Sequence, residues 1–541
     1  MLAKNAKNQR KVCYKTILLT FKWCWQCSKR INNRKKMKLI LLAILSIIMI
    51  SKRLPAQTSG VTWNKNQIIA HRGAWKKNKF PENSIASLNE AIRLKCFGSE
   101  FDVHITRDHV LVVNHDLTYY GLPIGKSTYA QLLEKKHPNG ESIPTLENYL
   151  KTGMKQKGTK LILELKPQNI GKERDLFLAK KVLQMVRKLK AEEWVDYISF
   201  SYDICTYIIA NSPKAKVAYL NGDVEPEKLK VDGFFGSDYH FSIFQNNNWI
   251  EASKKLGLTV NAWTVNTGPE MEWLLANEIE FITTNEPELL FEAIKTAAVT
   301  RGWKLKWSDE FNKKGLPDPN NWSYDIGGTG WGNNEKQFYT NADSLNANID
   351  IGALNIIALK SDREQAKYTS ARMATGKKFD WKYGRLEVRA MLPKGRGIWP
   401  AIWMLPTDWK YGNWPKSGEI DVMEHVGYNP DSVHGTVHTL AFNHTKGTQV
   451  GEALVVEDPY TAYHIYAIEW YETHIDFFID EKRYFTFRNS KKGVEDWPFD
   501  QNFHLLLNVA VGGNWGGKNG VDDSIFPAAM KVDYVRVFQK K

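Results

Sequence analysis

The octapeptide Gly418-Glu-Ile-Asp-Val-Met-Glu-His425 carries three acidic side chains within six residues. Successive side chains of a β-strand point to opposite faces, so Glu419 and Asp421 share a face and Glu424 would point away. One extra residue in a β-bulge at Val422-Met423 restores the parity and brings the third carboxylate to the same face. The octapeptide therefore predicts a bulged strand with three acids on one surface of a sheet.

The sequence around this strand is typical of an antiparallel sandwich. After about residue 301 the helical periodicity fades, and short alternating segments dominate, such as residues 384–390 and 463–470. These last 241 residues also contain 12 of the 20 tryptophans. We predict an all-β jelly-roll sandwich over residues 301–541.

The preceding part of the chain alternates short apolar runs with helical stretches. Helical spacing is found over residues 85–94, 175–190 and 270–276. Seven runs are predicted strands: residues 67–70, 98–103, 161–164, 197–200, 217–220, 258–262 and 281–284. This alternation predicts a parallel sheet closed as a (β/α)₈ TIM barrel over residues 66–297, with the junction near residues 297–301.

The charge of the chain is concentrated at its N-terminus. The formal net charge is +15, but residues 1–56 hold 14 Lys and Arg and no acid. The remaining residues hold 60 basic and 59 acidic side chains, so the predicted domains are nearly neutral. This distribution argues against nucleic acid as a partner.

The basic leader, residues 1–56, has the features of a targeting segment. Basic residues precede the apolar run 39–50, which is too short to span a bilayer but suits a secretory signal peptide. Met37 stands where such a peptide would start, and Ala56 precedes a plausible cleavage site. Lys52 and Arg53 also suit an uncleaved anchor. We expect a secreted or periplasmic protein, membrane-anchored only if the leader is retained.

Polar residues cluster at the carboxyl ends of the predicted barrel strands, where barrel enzymes place their sites. Glu100 and Asp102 are two apart on one strand and therefore point to one face, as do Glu164 and Lys166 on another. Carboxylates with interspersed His and Lys suit a hard divalent cation facing an anionic substrate.

The motifs HRGAW, PENSIASLNEAI, SEFDVHITRDHVLVVNHDLT, LELK, NAWTVN and ITTNEPELL occur in this order over residues 66–297. They resemble the glycerophosphodiester phosphodiesterase family. The resemblance implies that His71 and His115 act as general base and acid on a glycerophosphodiester. It also implies roles for six further residues. Glu100, Asp102 and Glu164 would bind a divalent cation, Ca²⁺ or Mg²⁺. Arg72 and Lys166 would bind the phosphate, and Trp263 would lie beside the glycerol.

The bulged strand predicts a specific catalytic geometry. A bulge shortens the span from Glu419 to Glu424 to roughly 13 Å of backbone. Two converging Glu side chains then leave about 5 Å between carboxyl groups, the separation of a retaining glycosidase. Tryptophans before and after the strand offer aromatic faces on which sugar rings stack.

Residues 303–539, from WSDEF to VDYVRVFQ, resemble glycoside hydrolase family 16, and GIWPAIWML with GTVHT is most similar to its laminarinases. The resemblance implies cleavage of β-1,3-glucan, with Glu419 as nucleophile, Glu424 as acid/base and Asp421 as their hydrogen-bonding partner. It implies substrate contacts from five residues: Trp399, Trp403, Trp414, His438 and Trp515. It also implies a structural calcium on Glu310, Gly352 and Asp533.

Alternative functions remain open at the level of sequence. One domain could be a non-catalytic binding module, and the glycosidase could act on mixed-linkage glucan or on agar- or carrageenan-type galactan. Two chemistries in one chain also raise the hypothesis of a shared substrate, a glucan carrying phosphoglycerol groups. The alternative is separate scavenging of head groups and glucan.

Overall fold

The computed structural model describes residues 63–540. The predicted leader lies outside the described residues, so its cleavage or retention stays a prediction. Within residues 63–540, no helix combines the length and apolar character needed to cross a membrane.

The first domain is a closed barrel of eight parallel strands, which confirms the predicted fold. The strand order is β1-β11-β10-β9-β8-β7-β6-β2, and β1 also pairs with β2 to close the ring. The eight strands are β1 Ile68–Ala70, β2 Gly98–Ile105, β6 Lys160–Leu165, β7 Val195–Ser199, β8 Val217–Tyr219, β9 Gly236–His240, β10 Thr259–Trp263 and β11 Phe281–Thr284. Three shorter strands follow β2: β3 Leu111–Val113, β4 Thr118–Tyr119 and β5 Leu122–Pro123.

Within residues 63–540, ten helices surround the barrel or connect its strands. They are α1 Ile85–Arg93, α2 Tyr129–Leu132, α3 Leu146–Gly153, α4 Lys172–Leu189, α5 Tyr202–Asn211, α6 Pro226–Val231, α7 Phe241–Gln245, α8 Trp249–Lys255, α9 Gly268–Ala276 and α10 Pro287–Thr296. A 3₁₀ helix, Ala298–Arg301, falls at the predicted junction and leads into the second domain.

One barrel strand was missed by the sequence pattern. The segment Gly236-Ser-Asp-Tyr-His240 forms β9, between β8 and β10. Its Tyr239 packs in the apolar core of the barrel domain, whereas Asp238 is a buried polar residue. A strand with polar side chains in a barrel interior lacks the apolar run that identified the other seven.

The second domain is a sandwich of two antiparallel sheets, as predicted. The first has the order β14-β17-β16-β28-β19-β24-β25-β26, with β12 on β28 and β15 on β16. Its strands are β12 Trp303–Asp309, β14 Gln337–Tyr339, β15 Ala347–Asp350, β16 Ala353–Arg363, β17 Ala366–Ser370, β19 Gly384–Met391, β24 His464–Trp470, β25 His474–Ile479, β26 Lys482–Arg488 and β28 Ala528–Lys540. The exception to the antiparallel pattern is the pair β14–β17, which is parallel.

The other sheet has seven strands in the order β13-β18-β27-β20-β21-β22-β23. They are β13 Ser323–Tyr324, β18 Arg372–Ala374, β20 Ile398–Pro406, β21 Glu419–His425, β22 Ser432–His438, β23 Val450–Val455 and β27 Phe503–Val511. Strand β21 contains the acidic octapeptide. Its Ile420, Val422 and Met423 lie in the core between the sheets, so its acids point outward.

The barrel packs on the outer face of the ten-stranded sheet. Because side chains alternate along a strand, Arg385 on β19 and Arg536 on β28 point away from the sandwich core. Arg536 pairs with Glu310 at 2.9 Å and with Glu272 of the barrel helix α9 at 3.6 Å. An apolar cluster completes this contact: Ala276, Ala298, Trp303 and Phe538, with Leu305 and Tyr471 at its edge. The acids of β21 therefore lie on the opposite face of the sandwich from the barrel.

Arg385 is a structural centre of the ten-stranded sheet. Its side chain is fully buried and pairs with three carboxylates, those of Glu387, Glu469 and Glu481. Glu481 also pairs with Arg301 of the 3₁₀ helix at the junction. The cluster thus joins the end of the barrel domain to the sheet.

We expect Arg385→Met to destabilise the chain strongly, because it leaves buried carboxylates without their cation. Breaking such a buried cluster costs roughly 3–5 kcal/mol. Thermal unfolding followed by circular dichroism should show the loss as a lower Tm of the sandwich transition. The matched control is Lys482→Met on β26, an exposed lysine with no ion pair among residues 63–540. An Arg385→Met chain that unfolds at the temperature of this control would contradict the role of the cluster.

Candidate active sites

The bulge in β21 is present where the sequence predicts it. Asp421 pairs with Thr436 of β22 and Glu424 with His434, so two residues, Val422 and Met423, oppose Gly435 alone. Glu419 pairs with His438. The three partners are two residues apart on β22, which places all three acids on the outer face of the seven-stranded sheet.

Indole groups hold two of these carboxylates. Trp414 donates its Nε1–H to Glu419 at 2.8 Å, and Trp399 donates to Glu424 at 3.0 Å. His438 lies beside the third, with Nε2 3.3 Å from Asp421 Oδ2. Glu419 and Asp421 are also close to each other: one ligand atom from each of Glu419, Asp421 and His438 lies within 4.8 Å of the other two.

The remaining predicted tryptophans extend this surface in two directions. Trp515 contacts Trp399 edge-to-face, with ring centroids 5.5 Å apart. Trp403 donates its Nε1–H to Asn508 of β27 at 2.7 Å. Trp414 also lies 5.0 Å from the ring of His444. All four predicted tryptophans therefore line one cleft around the acids.

The barrel residues predicted to act together also converge. His71 and Arg72 follow β1, Glu100 and Asp102 lie on β2, and Glu164 lies on β6. His71 binds Asn285 through Nδ1 at 2.8 Å, and its Nε2 lies 4.0 Å from Glu100. Burial, with a smaller effect from Arg72, lowers the pKa of His71 to about 4. The imidazole is therefore neutral near pH 7 and can accept a proton.

Three buried carboxylates form a site with the chemistry of a cation centre. Ligand atoms of Glu100, Asp102 and Glu164 all lie within 4.8 Å of one another. Burial and the neighbouring acids raise the pKa of Glu100 well above its usual range, and that of Glu164 to about 8. Oε1 of Glu100 has no hydrogen-bond donor within residues 63–540. An oxygen-rich cluster with an unsatisfied buried ligand atom fits a hard divalent cation.

Two cationic side chains flank these acids. Lys166 lies 2.9 Å from Glu164 and 3.4 Å from Asp102. Arg72 pairs with Glu82 at 2.6 Å, and its Nε lies 3.8 Å from Asp102. Both are placed to meet an anionic group above the acids.

His115 and Trp263 lie at the edge of the same site. His115 binds Asp116 through Nδ1 at 2.8 Å, and its backbone carbonyl is held by His104 at 3.0 Å. Trp263 donates its Nε1–H to the carbonyl of Asp238 at 2.8 Å and contacts Phe200 and His240.

Comparison with known proteins assigns a family to each domain. Residues 331–536 match the model for glycosyl hydrolases family 16, and residues 71–289 match that for the glycerophosphoryl diester phosphodiesterase family. A beta-glucanase of Rhodothermus marinus is 54% identical over 244 residues, 44% of this chain and 85% of that protein. A glucan endo-1,3-beta-glucosidase of Cryptopygus antarcticus is 40% identical over 253 residues, 43% of this chain and 91% of that protein. The crystal structure of a glycerophosphodiester phosphodiesterase from Parabacteroides distasonis is 42% identical, with a TM-score of 0.42, covering 43% of this chain and 98% of that one.

The chain belongs to both families. Family 16 and the phosphodiesterase family are both families of hydrolases, so the chain is a hydrolase with one domain from each family.

The family 16 cleft contains residues that the sequence reasoning missed. Glu335 accepts hydrogen bonds from Gln337 at 2.6 Å and from Tyr339 at 3.1 Å. Tyr339 in turn accepts from Asn508, the partner of Trp403. Glu335, Gln337 and Tyr339 are spaced two residues apart at and just before β14, but their connection to Trp403 runs through Asn508 of β27, which is distant in sequence.

Arg372 is the second missed residue of the cleft. Its guanidinium lies 4.6 Å from the ring of Trp331 and 4.7 Å from that of Trp403, and pairs with Asp325 at 2.9 Å. An arginine between two indoles is a cation–π arrangement that fixes both rings. The motif Thr-Ser-Ala-Arg gave no signal for it.

The predicted calcium ligands of the sandwich have other partners. Glu310 is held by Arg536 at 2.9 Å, and Asp533 by Arg389 at 2.6 Å. Gly352 lies in the exposed turn between β15 and β16. Both carboxylates would have to leave an arginine to bind an ion, so the described residues do not form a free cation site there.

The acids of the family 16 cleft are strongly desolvated. Burial, with Asp421 beside it, raises the pKa of Glu419 from 4.5 to about 8. Burial raises the pKa of Glu424 to about 7. Asp421 is raised well above its usual range by burial and by Glu424. The three groups therefore titrate as one coupled cluster that retains protons at neutral pH.

We expect Glu419→Gln to stabilise the sandwich at alkaline pH. The folded pKa is raised, so the contribution of Glu419 to stability is lost as pH rises from about 4.5 through about 8. Gln cannot ionise and escapes this loss. Differential scanning calorimetry should give nearly equal Tm values at pH 4.5, and a variant Tm higher by at least about 2 °C at pH 8.5. Parallel Tm curves across this range would show that Glu419 is not desolvated in the folded protein.

Proposed function

We propose that the sandwich is a retaining endo-β-1,3-glucanase and that the barrel is a metal-dependent glycerophosphodiester phosphodiesterase. One observation carries the first assignment: a single bulged strand presents Glu419, Asp421 and Glu424 to the same cleft, between indole donors. The Cryptopygus relative is a glucan endo-1,3-beta-glucosidase, which supports β-1,3-glucan as the substrate.

In this proposal Glu419 attacks the anomeric carbon while Glu424 gives its proton to the departing glycosidic oxygen. Asp421 beside it accepts the proton of Glu419 as Glu419 becomes the nucleophile, and the Trp414 N–H stabilises the resulting carboxylate. Glu424, now ionised and still held by Trp399, takes a proton from the water that hydrolyses the glycosyl-enzyme. Glu419 leaves as a carboxylate, and the acid is restored.

In the barrel, His71 accepts the proton of the attacking hydroxyl, because its low pKa keeps Nε2 unprotonated. Arg72 and Lys166 bind the phosphate oxygens, and His115, oriented by Asp116, donates a proton to the leaving alkoxide. Glu100, Asp102 and Glu164 would hold the divalent cation, which when bound offsets the negative charge of the diester.

The basic leader contains the apolar run 39–50, and this combination supports a location outside the cytoplasm, secreted or periplasmic. N-terminal sequencing of the mature protein tests this part of the proposal. A mature chain that still begins upstream of Met37 would contradict it.

We expect Glu419→Gln to abolish hydrolysis of laminarin and to leave glycerophosphocholine hydrolysis unchanged. No other carboxylate can replace the nucleophile, so the loss should reach about 10³-fold or more. Reducing-sugar release and glycerol phosphate release measure the two activities. Glu452→Gln, an exposed acid on β23 of the same sheet, is the control and should retain both. Laminarin hydrolysis that survives in Glu419→Gln at a tenth of the normal rate or more would refute the assignment.

We expect Glu100→Ala or exhaustive chelation to remove phosphodiesterase activity while laminarin hydrolysis persists. Without a cation, three adjacent carboxylates repel one another and the substrate phosphate. Readdition of Mg²⁺ or Ca²⁺ should restore the chelated wild-type chain but not the variant. Glu147→Ala on α3, whose carboxylate pairs with Lys151 and Lys188 and with no residue of the site among residues 63–540, is the control. Undiminished phosphodiesterase activity after chelation would show that no metal is needed.

A further inference from the structure

Strand β2 carries a third polar side chain beside its two acids. His104 follows Glu100 and Asp102 at the same two-residue spacing, so all three side chains lie on one face of the strand. His104 is almost completely buried, with 1% of its surface exposed. Neither the proton transfers nor the cation site proposed above uses its ring. The partners of this buried imidazole therefore decide what it does.

Both ring nitrogens of His104 have a partner. Nε2 lies 3.0 Å from the backbone carbonyl oxygen of His115, and Nδ1 lies 3.2 Å from Nε2 of Gln168. A carbonyl oxygen can only accept a hydrogen bond, so Nε2 of His104 donates its N–H to His115. Nδ1 in turn accepts a hydrogen bond from the Gln168 amide. The contacts therefore assign a single neutral tautomer to the ring.

The orientation of the Gln168 side chain supports this assignment. Its Nε2 also donates to the backbone carbonyl of Lys166 at 2.6 Å, so the atom that faces both partners is the nitrogen. Gln168 is buried, and its backbone N–H donates to Asp175 of α4 at 2.7 Å. The amide is therefore fixed, because turning it over would place its oxygen against the Lys166 carbonyl.

These contacts form one chain of hydrogen bonds between two segments of the barrel site. The chain runs from the carbonyl of Lys166, after β6, through Gln168 and His104 to the carbonyl of His115, after β3. Lys166 is the proposed phosphate ligand, and His115 is the proposed general acid. The chain thus fixes the backbone of the proton donor relative to that of the phosphate ligand.

His115 needs such support because its own side chain has little. Its imidazole is 35% exposed, and the carboxylate of its partner Asp116 is 76% exposed. A pair of exposed polar groups holds its geometry only weakly. A general acid must nevertheless lie within hydrogen-bond reach of the leaving oxygen. The buried bond from His104 to the His115 carbonyl gives the backbone an anchor that the exposed pair does not.

We propose that His104, held in one tautomer by Gln168, is a positioning residue that anchors the general acid His115 relative to the phosphate-binding Lys166. The inference rests on the phosphodiesterase function proposed above and adds two residues that act through their neighbours. A buried pair that only satisfied its own hydrogen bonds would contribute to folding alone. A positioning residue, by contrast, affects a reaction in proportion to its need for the acid.

The test uses the full chain and two substrates that differ in their leaving group. Glycerophosphocholine must expel an alkoxide, which needs a proton, whereas glycerol p-nitrophenyl phosphate expels p-nitrophenolate, which does not. His104→Met removes the donor to His115. The matched variant His104→Gln keeps an amide N–H near the position of Nε2. Steady-state kinetics with Mg²⁺ in excess give kcat for each substrate.

We expect His104→Met to lower kcat for glycerophosphocholine at least about tenfold, since general acid catalysis contributes roughly 10²–10⁴-fold. It should lower kcat for glycerol p-nitrophenyl phosphate less than about threefold, and this retained turnover also shows that the variant is folded. His104→Gln should stay within about threefold of the wild type on both substrates. Equal losses on the two substrates in His104→Met would overturn the inference.

Two further variants keep the test decisive if His104→Met does not fold. Gln168→Met frees the ring of His104 and should produce the same selective loss on glycerophosphocholine. His115→Ala provides the background for a double-mutant cycle with either variant. Once the acid is absent, loss of its anchor should cost less than about a further twofold. Losses that multiply would mean that His104 and Gln168 do not act through His115.

The same measurements separate this inference from the function on which it rests. If the wild-type chain hydrolyses neither diester, the proposed phosphodiesterase function fails. If His115→Ala loses both substrates equally, His115 is not the general acid, and the positioning role is refuted with it. If His115→Ala is selective for glycerophosphocholine and the His104 and Gln168 variants are not, only the positioning role fails.

Discussion

Burial of like-charged carboxyl groups is the constraint on which both catalytic centres depend. Three acids taken out of water cannot all ionise, so each cluster must keep protons, gain donors or bind a cation. The sandwich uses protons and donors: indole N–H groups bind Glu419 and Glu424, and burial raises the pKa of all three acids. Among residues 63–540, the barrel places Lys166 and Arg72 against Asp102 and leaves one oxygen of Glu100 without a donor. The same physics thus favours acid–base chemistry in one domain and cation binding in the other.

Ion pairs of buried charged groups also join the two domains. The outer face of the ten-stranded sheet carries guanidinium groups that are covered by the barrel and matched by acids from both domains, as in the contact of Arg536 with Glu272 and Glu310. Packing on this face leaves the opposite sheet free, where the acids of β21 line an open cleft. It also produces a groove between the domains, lined by both lysines and carboxylates. The domain contact is therefore compatible with two independent active sites.

Much of this arrangement follows from short-range patterns. The three acids of the octapeptide can share one face only if the strand has a bulge at Val422-Met423. The bulge is present, because an unbulged strand would point Glu424 into the core. Strand β9 was not predicted because Asp238 and His240 stand where the other barrel strands have apolar residues. Arg372 was missed because its contact with Trp403 joins strands distant in sequence. Glu335 was missed because its link to the other strands runs through Tyr339 and Asn508. The tryptophans were predicted as sugar platforms, and two of them also donate their N–H groups to Glu419 and Glu424, which composition alone does not indicate.

The central claim is that Glu419 and Glu424 work as a nucleophile and an acid/base on one face of a bulged strand. Proton NMR of the products formed in the first minutes of laminarin hydrolysis tests it most directly, before the new reducing ends mutarotate. A retaining pair releases these ends in the β configuration of the substrate linkage. Initial release of the α anomer would mean that water attacks the sugar directly, and would contradict the assignment of Glu419 as nucleophile.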